Sequence, residues 1–177
     1  PGFTRLSEGD RLLLAGRDWT VRLGQGHASD HATLWSDGIV LGGDQLLPGI
    51  SANIGVYPTE PAADPLAGWL ASCAPFQPLA RDHDLILPGH KLPFTGLPFR
   101  LVQMIHNHIE ALGRLLDQLA TPRTAVECFP VLFRRPIGPA EESLALAEAV
   151  AHLTHLLRSG SVCRSLAPDG ARRGARR

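Results

Sequence analysis

The sequence predicts a mixed α/β fold in which a strand-rich first part is followed by a helical second part. Up to about residue 60, short runs of alternating apolar and polar residues are separated by Gly and Asp turns, which is the pattern of half-buried strands. From Asp64 onward the apolar residues recur every three or four positions, as they do in helices, and helices dominate after residue 98. We therefore place the break between the two parts near residues 92–98.

Four strands are expected before Asp44. The runs "RLLLAG" and "DWTVRLG" are followed by "HATLW", a "SDG" turn and the short apolar run "GIVLGG". The pieces "SEGD" and "SDG" carry the Asp and Gly residues that hairpin turns require. A fifth strand, "DLILPGH", follows the first helix and runs into a loop.

The helices carry start and stop signals. Asp64 is an expected N-cap, with Pro65 at the first helical position. Residues 98–120 form a long amphipathic segment, a short helix is expected to begin at Thr121, and a last helix is expected from Pro139 to Gly160. "SVCRSL" reads as one closing strand, and "APDGARRGARR" has no apolar face and is expected to be disordered.

Composition excludes several classes of protein. The chain of 177 residues is 44% hydrophobic and 19% charged, which allows a sizeable core and disfavours wholesale disorder. Its 17 basic and 17 acidic side chains balance, so no overall field attracts nucleic acid or an anionic membrane. The three cysteines are far apart and form no CxxC, and no apolar run is long enough to span a bilayer. We therefore expect a cytoplasmic protein without disulfides.

Three polar residues share one format: each follows an apolar run and stands beside glycine. They are His27 in "GQGH", Asp44 in "IVLGGD" and His90 in "LILPGH". Sites in open α/β sheets lie where strands end at their carboxyl side, because the loops there converge. Imidazole and carboxylate together suit zinc, iron or manganese. A single histidine of this kind is more often structural than functional, but three in this order indicate a metal site.

At these positions the chain resembles the metallo-β-lactamase-fold hydrolases. The third metal motif of that family, "GH" with a small residue next, is matched by "GHAS" at Gly26–Ser29. The fourth, "GD" after an apolar strand, is matched by "GGD" at Gly42–Asp44, and the fifth, "PGH", by Pro88–His90. The resemblance covers residues 3–97 and, with the helices, extends to about residue 163.

The resemblance implies a domain organisation. Residues 1–97 would form the C-terminal half of an αβ/βα metallo-β-lactamase sandwich, residues 98–165 a small helical winged-helix-like module, and residues 166–177 a disordered tail. The stretch "DQLLPGISANIGVYPTEPAADPLAGWL" resembles the linker of a bacterial branch of hydroxyacylglutathione-hydrolase-like proteins.

The resemblance also implies two divalent metal ions, zinc first and iron or manganese as alternatives. His27 would be a terminal ligand of one ion and His90 of the other, while Asp44 would bridge both and so act in catalysis. A carboxylate has two oxygens and can hold two cations that lie about 3.5–4 Å apart. A hydroxide between the metals would attack a carbonyl or phosphoryl group.

The leading ligand motif of that family, HxHxDH, is not in this sequence. The single HxH, His106–His108, is followed by Glu110 and Ala111 where Asp and His are needed. We interpret the chain as the C-terminal half of the enzyme, with the N-terminal half as its missing partner. Two protein ligands per metal fall short of the usual three, so we expect weak metal binding, no activity and poor solubility for this chain alone.

Residues next to these motifs have weaker assignments. His27 and His31 are four residues apart and could face one metal only if the segment were helical. Because "HATLW" indicates a strand, we assign His31 a supporting role beside the metal ligands. Lys91 and Tyr57 are candidates for contact with substrate. His152 and His155 are three apart on the last helix, where a solvated face is the simpler interpretation.

The function favoured at this point is hydrolysis of a small ester or thioester, as in hydroxyacylglutathione hydrolases. A phosphodiesterase or ribonuclease of the same fold is one alternative, and a non-catalytic winged-helix binding module is another. Residues 140–157 carry Glu141, Glu142 and Glu148 and no arginine, which disfavours a helix that contacts nucleic acid. The expected partners are a small-molecule substrate and, through the helices, a second copy in a homodimer, with no membrane contact.

Overall fold

The computed structural model describes residues 2–177, which form two compact units. The first unit contains the residues up to Ala52 together with Trp69–Met104. The second contains Asn53–Gly68 and Ile105–Arg177. The expected boundary at residues 97 and 98 therefore falls inside a helix, and the segment at residues 53–68 groups with the second unit. No helix among the described residues is long and apolar enough to cross a membrane.

The first unit is built on a five-stranded sheet in the order β1-β2-β3-β4-β5. The strands are β1 (Arg11–Leu14), β2 (Arg17–Gly24), β3 (His31–Ser36), β4 (Ile39–Gly43) and β5 (Leu85–Pro88). Neighbouring strands from β1 to β4 pair antiparallel, and β4 pairs parallel with β5. All five strands expected from the alternating runs are present.

Side chains on one face of this sheet form the core of the first unit. β2 buries Trp19 and Val21, and β3 buries Thr33 and Trp35, so the apolar positions recur with the period of two that a pleated strand imposes. Helix α1 (Pro65–Phe76) supplies further buried side chains, and the ring of Phe76 lies 5.6 Å from that of Trp35. Burial of each large apolar side chain stabilises the unit by about 1.5–3 kcal/mol.

Helix α1 begins where the sequence predicts. The Asp64 carboxylate accepts a hydrogen bond from the backbone N–H of Ala67 at 3.1 Å, which caps one of the otherwise unsatisfied donors of the first turn. Helix α2 (Leu97–Gln118) also agrees with its expected range. Its Arg100 donates hydrogen bonds to the carbonyls of Leu47 and Ile50, at 2.7 and 2.8 Å, and so fixes the loop that follows β4.

The second unit contains the C-terminal part of α2, a single 3₁₀ turn (Val126–Cys128), α3 (Phe129–Phe133), α4 (Glu142–Arg158), and the strands β6 (Val162–Leu166) and β7 (Arg172–Arg176). β6 and β7 form an antiparallel hairpin, and an isolated bridge joins Arg123 to Gly174. The core of this unit is apolar and is formed by Leu115, Leu119, Cys128, Leu156 and Val162.

Two expectations for the second unit are wrong. No helix begins at Thr121, because Arg123 pairs with Gly174 and the first helical turn starts only at Val126. Thr124 and Glu127 exchange hydrogen bonds at the start of this turn. The tail at residues 166–177 is not disordered, because Arg172–Arg176 pairs with β6. Gly174 of β7 lies beside Leu153, Val162 and Leu119.

Candidate metal centre

The three strand-end residues singled out in the sequence lie at one end of the first sheet. β2, β4 and β5 all run in the same direction, because β3 is antiparallel to both of its neighbours and β4 is parallel to β5. His27 follows the end of β2, Asp44 follows β4 directly, and His90 follows β5 by two residues. The topology therefore brings them together from positions up to 63 residues apart, from His27 to His90.

Asp44 lies between the two imidazoles. Its Oδ2 is 3.4 Å from the Nε2 of His27, and its Oδ1 is 3.5 Å from the Nε2 of His90. The side chain of Asp44 is 24% exposed, that of His27 31% and that of His90 66%, so the carboxylate is the most enclosed of the three. One carboxylate thus turns a different oxygen toward each histidine.

The residues present fit a metal ion in their donor chemistry. Asp44 Oδ1 is buried and accepts no hydrogen bond within residues 2–177, which is an expensive state for a carboxylate oxygen unless a cation or a donor reaches it. Two imidazole nitrogens and a carboxylate are ligands that zinc, iron and manganese accept.

The glycines of the motifs make room for these side chains. A Cβ on Gly89 would collide with Asp44 Oδ1, and a Cβ on Gly43 would collide with the imidazole of His31. Gly43 also has a φ of +49°, which favours glycine. The "GGD" and "PGH" sequences are therefore explained by close contact between backbone and side chain.

His31 belongs to this cluster. It is the first residue of β3, opposite Gly24 at the end of β2, and its ring centre lies 6.1 Å from that of His27. Burial lowers the pKa of His31, the nearby His27 lowers it further, and Asp44 acts in the opposite direction. Its neutral form is thus favoured beside the carboxylate and the other imidazole.

The other two candidates are placed differently. Lys91 is exposed, follows His90 directly and has a positive φ of 72°. Tyr57 is an exposed residue of the second unit, where its hydroxyl donates a hydrogen bond to Asn53 Oδ1 at 3.0 Å.

No group of three or more His, Cys, Asp or Glu side chains within residues 2–177 is arranged to hold a single metal ion. In this cluster His27 lies beside one oxygen of Asp44 and His90 beside the other.

The solvated face expected for His152 in the second unit is wrong. His152 is buried rather than solvated, with Nδ1 2.9 Å from the Glu148 carbonyl and Nε2 3.4 Å from the Nδ1 of His108. Burial lowers the pKa of His152 and lowers that of His108 to about 3. His155 pairs with Asp64 at 3.2 Å. Only the three- and four-residue spacing along α4 signals that these side chains share a face with buried neighbours.

The chain is similar in sequence and in structure to proteins that are already known. A family described as "Metallo-beta-lactamase-like, C-terminal domain" matches residues 112–176. A β-lactamase domain protein from Burkholderia ambifaria is 38% identical over 100% of this chain, with a TM-score of 0.94. The chain therefore shares the metallo-β-lactamase-like fold over the length that it covers. A metallo-β-lactamase family protein from Thermus thermophilus is 32% identical over 97% of the chain, with a TM-score of 0.82.

The match to these metallo-β-lactamase-like relatives is partial on their side. The chain spans 53% of the Burkholderia ambifaria chain and 54% of the Thermus thermophilus chain, which is about half of their length. No curated protein sequence matches significantly. The mixed α/β architecture and the fold of the C-terminal part are thus shared with these relatives.

Proposed function

We propose that the chain supplies part of the active site of a dinuclear metal-dependent hydrolase that cleaves a small ester or thioester, as hydroxyacylglutathione hydrolases do. The observation that carries the proposal is the Asp44 carboxylate, which turns Oδ2 toward His27 and Oδ1 toward His90. Such a carboxylate can serve two cations at once.

Each residue has a defined task in this proposal. His27 and His90 would each hold one ion as neutral imidazoles, and Asp44 would hold both and offset part of their charge. His31, packed against Gly43 with a lowered pKa, would keep the loop ends in place. Divalent ions in such a site polarise the electrophile and make a water molecule more acidic. We infer that the remaining ligands come from an N-terminal half of the domain.

Charge supports a small ester over a polyanion. The 17 basic and 17 acidic residues cancel. Among the ligand motifs and their immediate neighbours in sequence, Lys91 is the only cation, which suits one substrate carboxylate better than a chain of phosphates. Zinc is the metal we favour, since imidazole and carboxylate are common zinc ligands.

We also infer that the second unit is a winged-helix-like module. The order α2, α3, α4 and then the β6–β7 hairpin is the order of such modules. The isolated antiparallel bridge between Arg123 and Gly174 places the segment around Arg123 beside β7, as a minimal third strand next to the hairpin. An experimental structure in which the helices and the hairpin of this unit are arranged differently from a winged helix would contradict the inference.

The test uses a protein that carries this chain joined to the N-terminal half of the domain. Asp44→Asn keeps the size of the side chain but removes the charge that two cations need, so we expect kcat/KM for a glutathione thioester to fall roughly a hundredfold or more. The matched control is Asp37→Asn, an exposed turn carboxylate, which should leave hydrolysis unchanged.

An unchanged rate in Asp44→Asn would refute the site assignment. A preference for an activated phosphodiester over the thioester would refute the substrate class and leave the metal site standing. The metal content of each variant, measured by elemental analysis, separates loss of metal from loss of chemistry.

A further inference from the structure

The second unit contains a cavity of about 140 Å³ that the proposed hydrolase site does not use. It lies between one face of α4 and the β6–β7 hairpin. Its lining includes Val150, Leu153, Thr154 and Leu157 from α4, and Val162, Arg164 and Arg172 from the hairpin.

The interior of this cavity is apolar because of helical spacing. Val150, Leu153, Thr154 and Leu157 are three, four and seven residues apart and so form a single stripe along α4. Val162 is buried at the start of β6 and faces the same space. A cavity of about 150 Å³ lined by aliphatic side chains accommodates benzene. The available volume therefore fits one six-membered ring or a short alkyl chain.

The mouth of the cavity is cationic. Arg164 pairs with Gly174 and Leu166 with Arg172, so both arginines lie on the same face of the hairpin as Val162. Both are exposed, and neither has an ion-pair partner in the part of the chain that the structure describes. Arg173 also lines the cavity but is ion-paired to Asp169 at 2.8 Å. Two uncompensated guanidinium groups thus flank an apolar space.

We propose that this cavity binds a small monocarboxylate with an apolar body, of the size of phenylacetate or hexanoate. The apolar body would displace water from the stripe on α4, and the carboxylate would pair with Arg172 or Arg164. A guanidinium presents a planar pair of donors that matches a carboxylate, and the contact is a charge-assisted hydrogen bond. This site is independent of the metal centre proposed above.

The experiment is a titration of the 15N-labelled chain with phenylacetate, followed by amide chemical shifts. We expect saturable shifts confined to α4, the β6–β7 hairpin and the neighbourhood of Ala125, which also lines the cavity, at concentrations up to about 10 mM. Benzyl alcohol, which has the same ring without the charge, should bind at least about tenfold more weakly.

Three variants separate the apolar and charged contributions. Arg172→Gln should weaken phenylacetate binding about fivefold to tenfold. Arg177→Gln, which removes a charge just beyond the opposite end of β7 and outside the cavity lining, should change it less than about twofold. Thr154→Phe fills the cavity and should abolish binding, with the amide spectrum showing that the fold is retained.

Any of three results would overturn the proposal: no saturable shift with phenylacetate, equal affinity for benzyl alcohol, or undiminished binding in a folded Thr154→Phe. A failed thioester assay of the metal centre would leave these results unaffected, because no residue is shared by the two sites.

Discussion

At the scale of single residues, the contact between Gly89 and Asp44 decides how the carboxylate is presented. A Cβ at position 89 would occupy the place of Asp44 Oδ1. Gly89→Ala should therefore turn the carboxylate away from His90 and lower metal affinity or hydrolysis about tenfold in the complete domain. The free energy of unfolding should also fall, by about 1–3 kcal/mol, because the new Cβ would lie 3.2 Å from the backbone carbon of Gly43 even after the carboxylate rotates.

The matched control for this prediction is Gly49→Ala. Gly49 has an ordinary φ, and a Cβ there meets nothing within 4 Å. It should leave both metal affinity and stability unchanged, as measured by calorimetry and urea denaturation. If Gly89→Ala binds metal as tightly as Gly49→Ala does, the carboxylate does not need its present orientation.

Sequence reasoning found the members of this cluster but not all of their contacts. The strand-end format of His27, Asp44 and His90 correctly predicted their proximity, because strand direction fixes where loops converge. The position of His31 against Gly43 depends on the pairing of β2 with β3, which a local pattern does not contain. The burial of His108 and His152 depends in the same way on two helices far apart in sequence.

At the scale of elements, local signals predicted what local interactions determine. The Asp64 cap and the alternating strands are such cases, since capping and pleat act within a few residues. β7 was missed because "RRGAR" has no apolar alternation, and its pairing with β6 supplies the backbone hydrogen bonds that hold it. The start of the short helix was misplaced because Arg123 is held by Gly174, 51 residues later.

Helix α4 contains a carboxyl group whose ionisation should weaken the second unit. Glu148 is half-buried and accepts a hydrogen bond from Asn53 at 3.0 Å, and burial raises its pKa from 4.5 to about 7. A raised pKa contributes stability that is fully present below pH 4.5 and is lost as the pH rises through 7. Glu148→Gln keeps the hydrogen-bond acceptor and cannot ionise. At pH 8 we therefore expect its free energy of unfolding to exceed that of the unchanged chain by about 2 kcal/mol.

Urea denaturation followed by far-UV circular dichroism at pH 8 and pH 4.5 measures this difference. Because His108 and His152 are buried with lowered pKa values, the stability that they contribute is lost as the pH falls below 6.5. The unchanged chain and the Glu148→Gln variant share both histidines, so this contribution cancels in the difference between them. Tryptophan fluorescence is an internal control, because Trp19, Trp35 and Trp69 all belong to the first unit. The control is Glu142→Gln, at an exposed position on the same helix, which should change the free energy of unfolding by a similar small amount at both pH values. An equal gain in the free energy of unfolding for Glu148→Gln at pH 4.5 and pH 8 would contradict the assignment.

At the scale of the whole molecule, ligand number is the property that links sequence, fold and function. The relatives are about twice as long as this chain. In the dinuclear site that we propose, His27 and Asp44 would hold one ion, and His90 and Asp44 the other, so each ion would have two protein ligands from this chain. Catalytic zinc typically has three protein ligands, so the 177-residue chain should bind metal weakly even with the cluster already formed. Supplying the remaining ligands should raise the affinity steeply, because His27, Asp44 and His90 already lie next to one another.

We therefore expect the 177-residue chain to bind Zn²⁺ with a Kd above about 1 μM, measured by competition with a chelating dye. The complete domain should bind Zn²⁺ at least about a hundredfold more tightly. His90→Ala should remove most of the weak binding, whereas His83→Ala, which alters an exposed loop histidine, should not. The second comparison matters because the His83 imidazole is 72% exposed and lies outside the cluster, so it reports nonspecific binding of Zn²⁺ to a surface histidine. Stoichiometric submicromolar uptake by the 177-residue chain, lost in His90→Ala, would mean that two ligands per ion suffice and that no further half is needed to complete the centre.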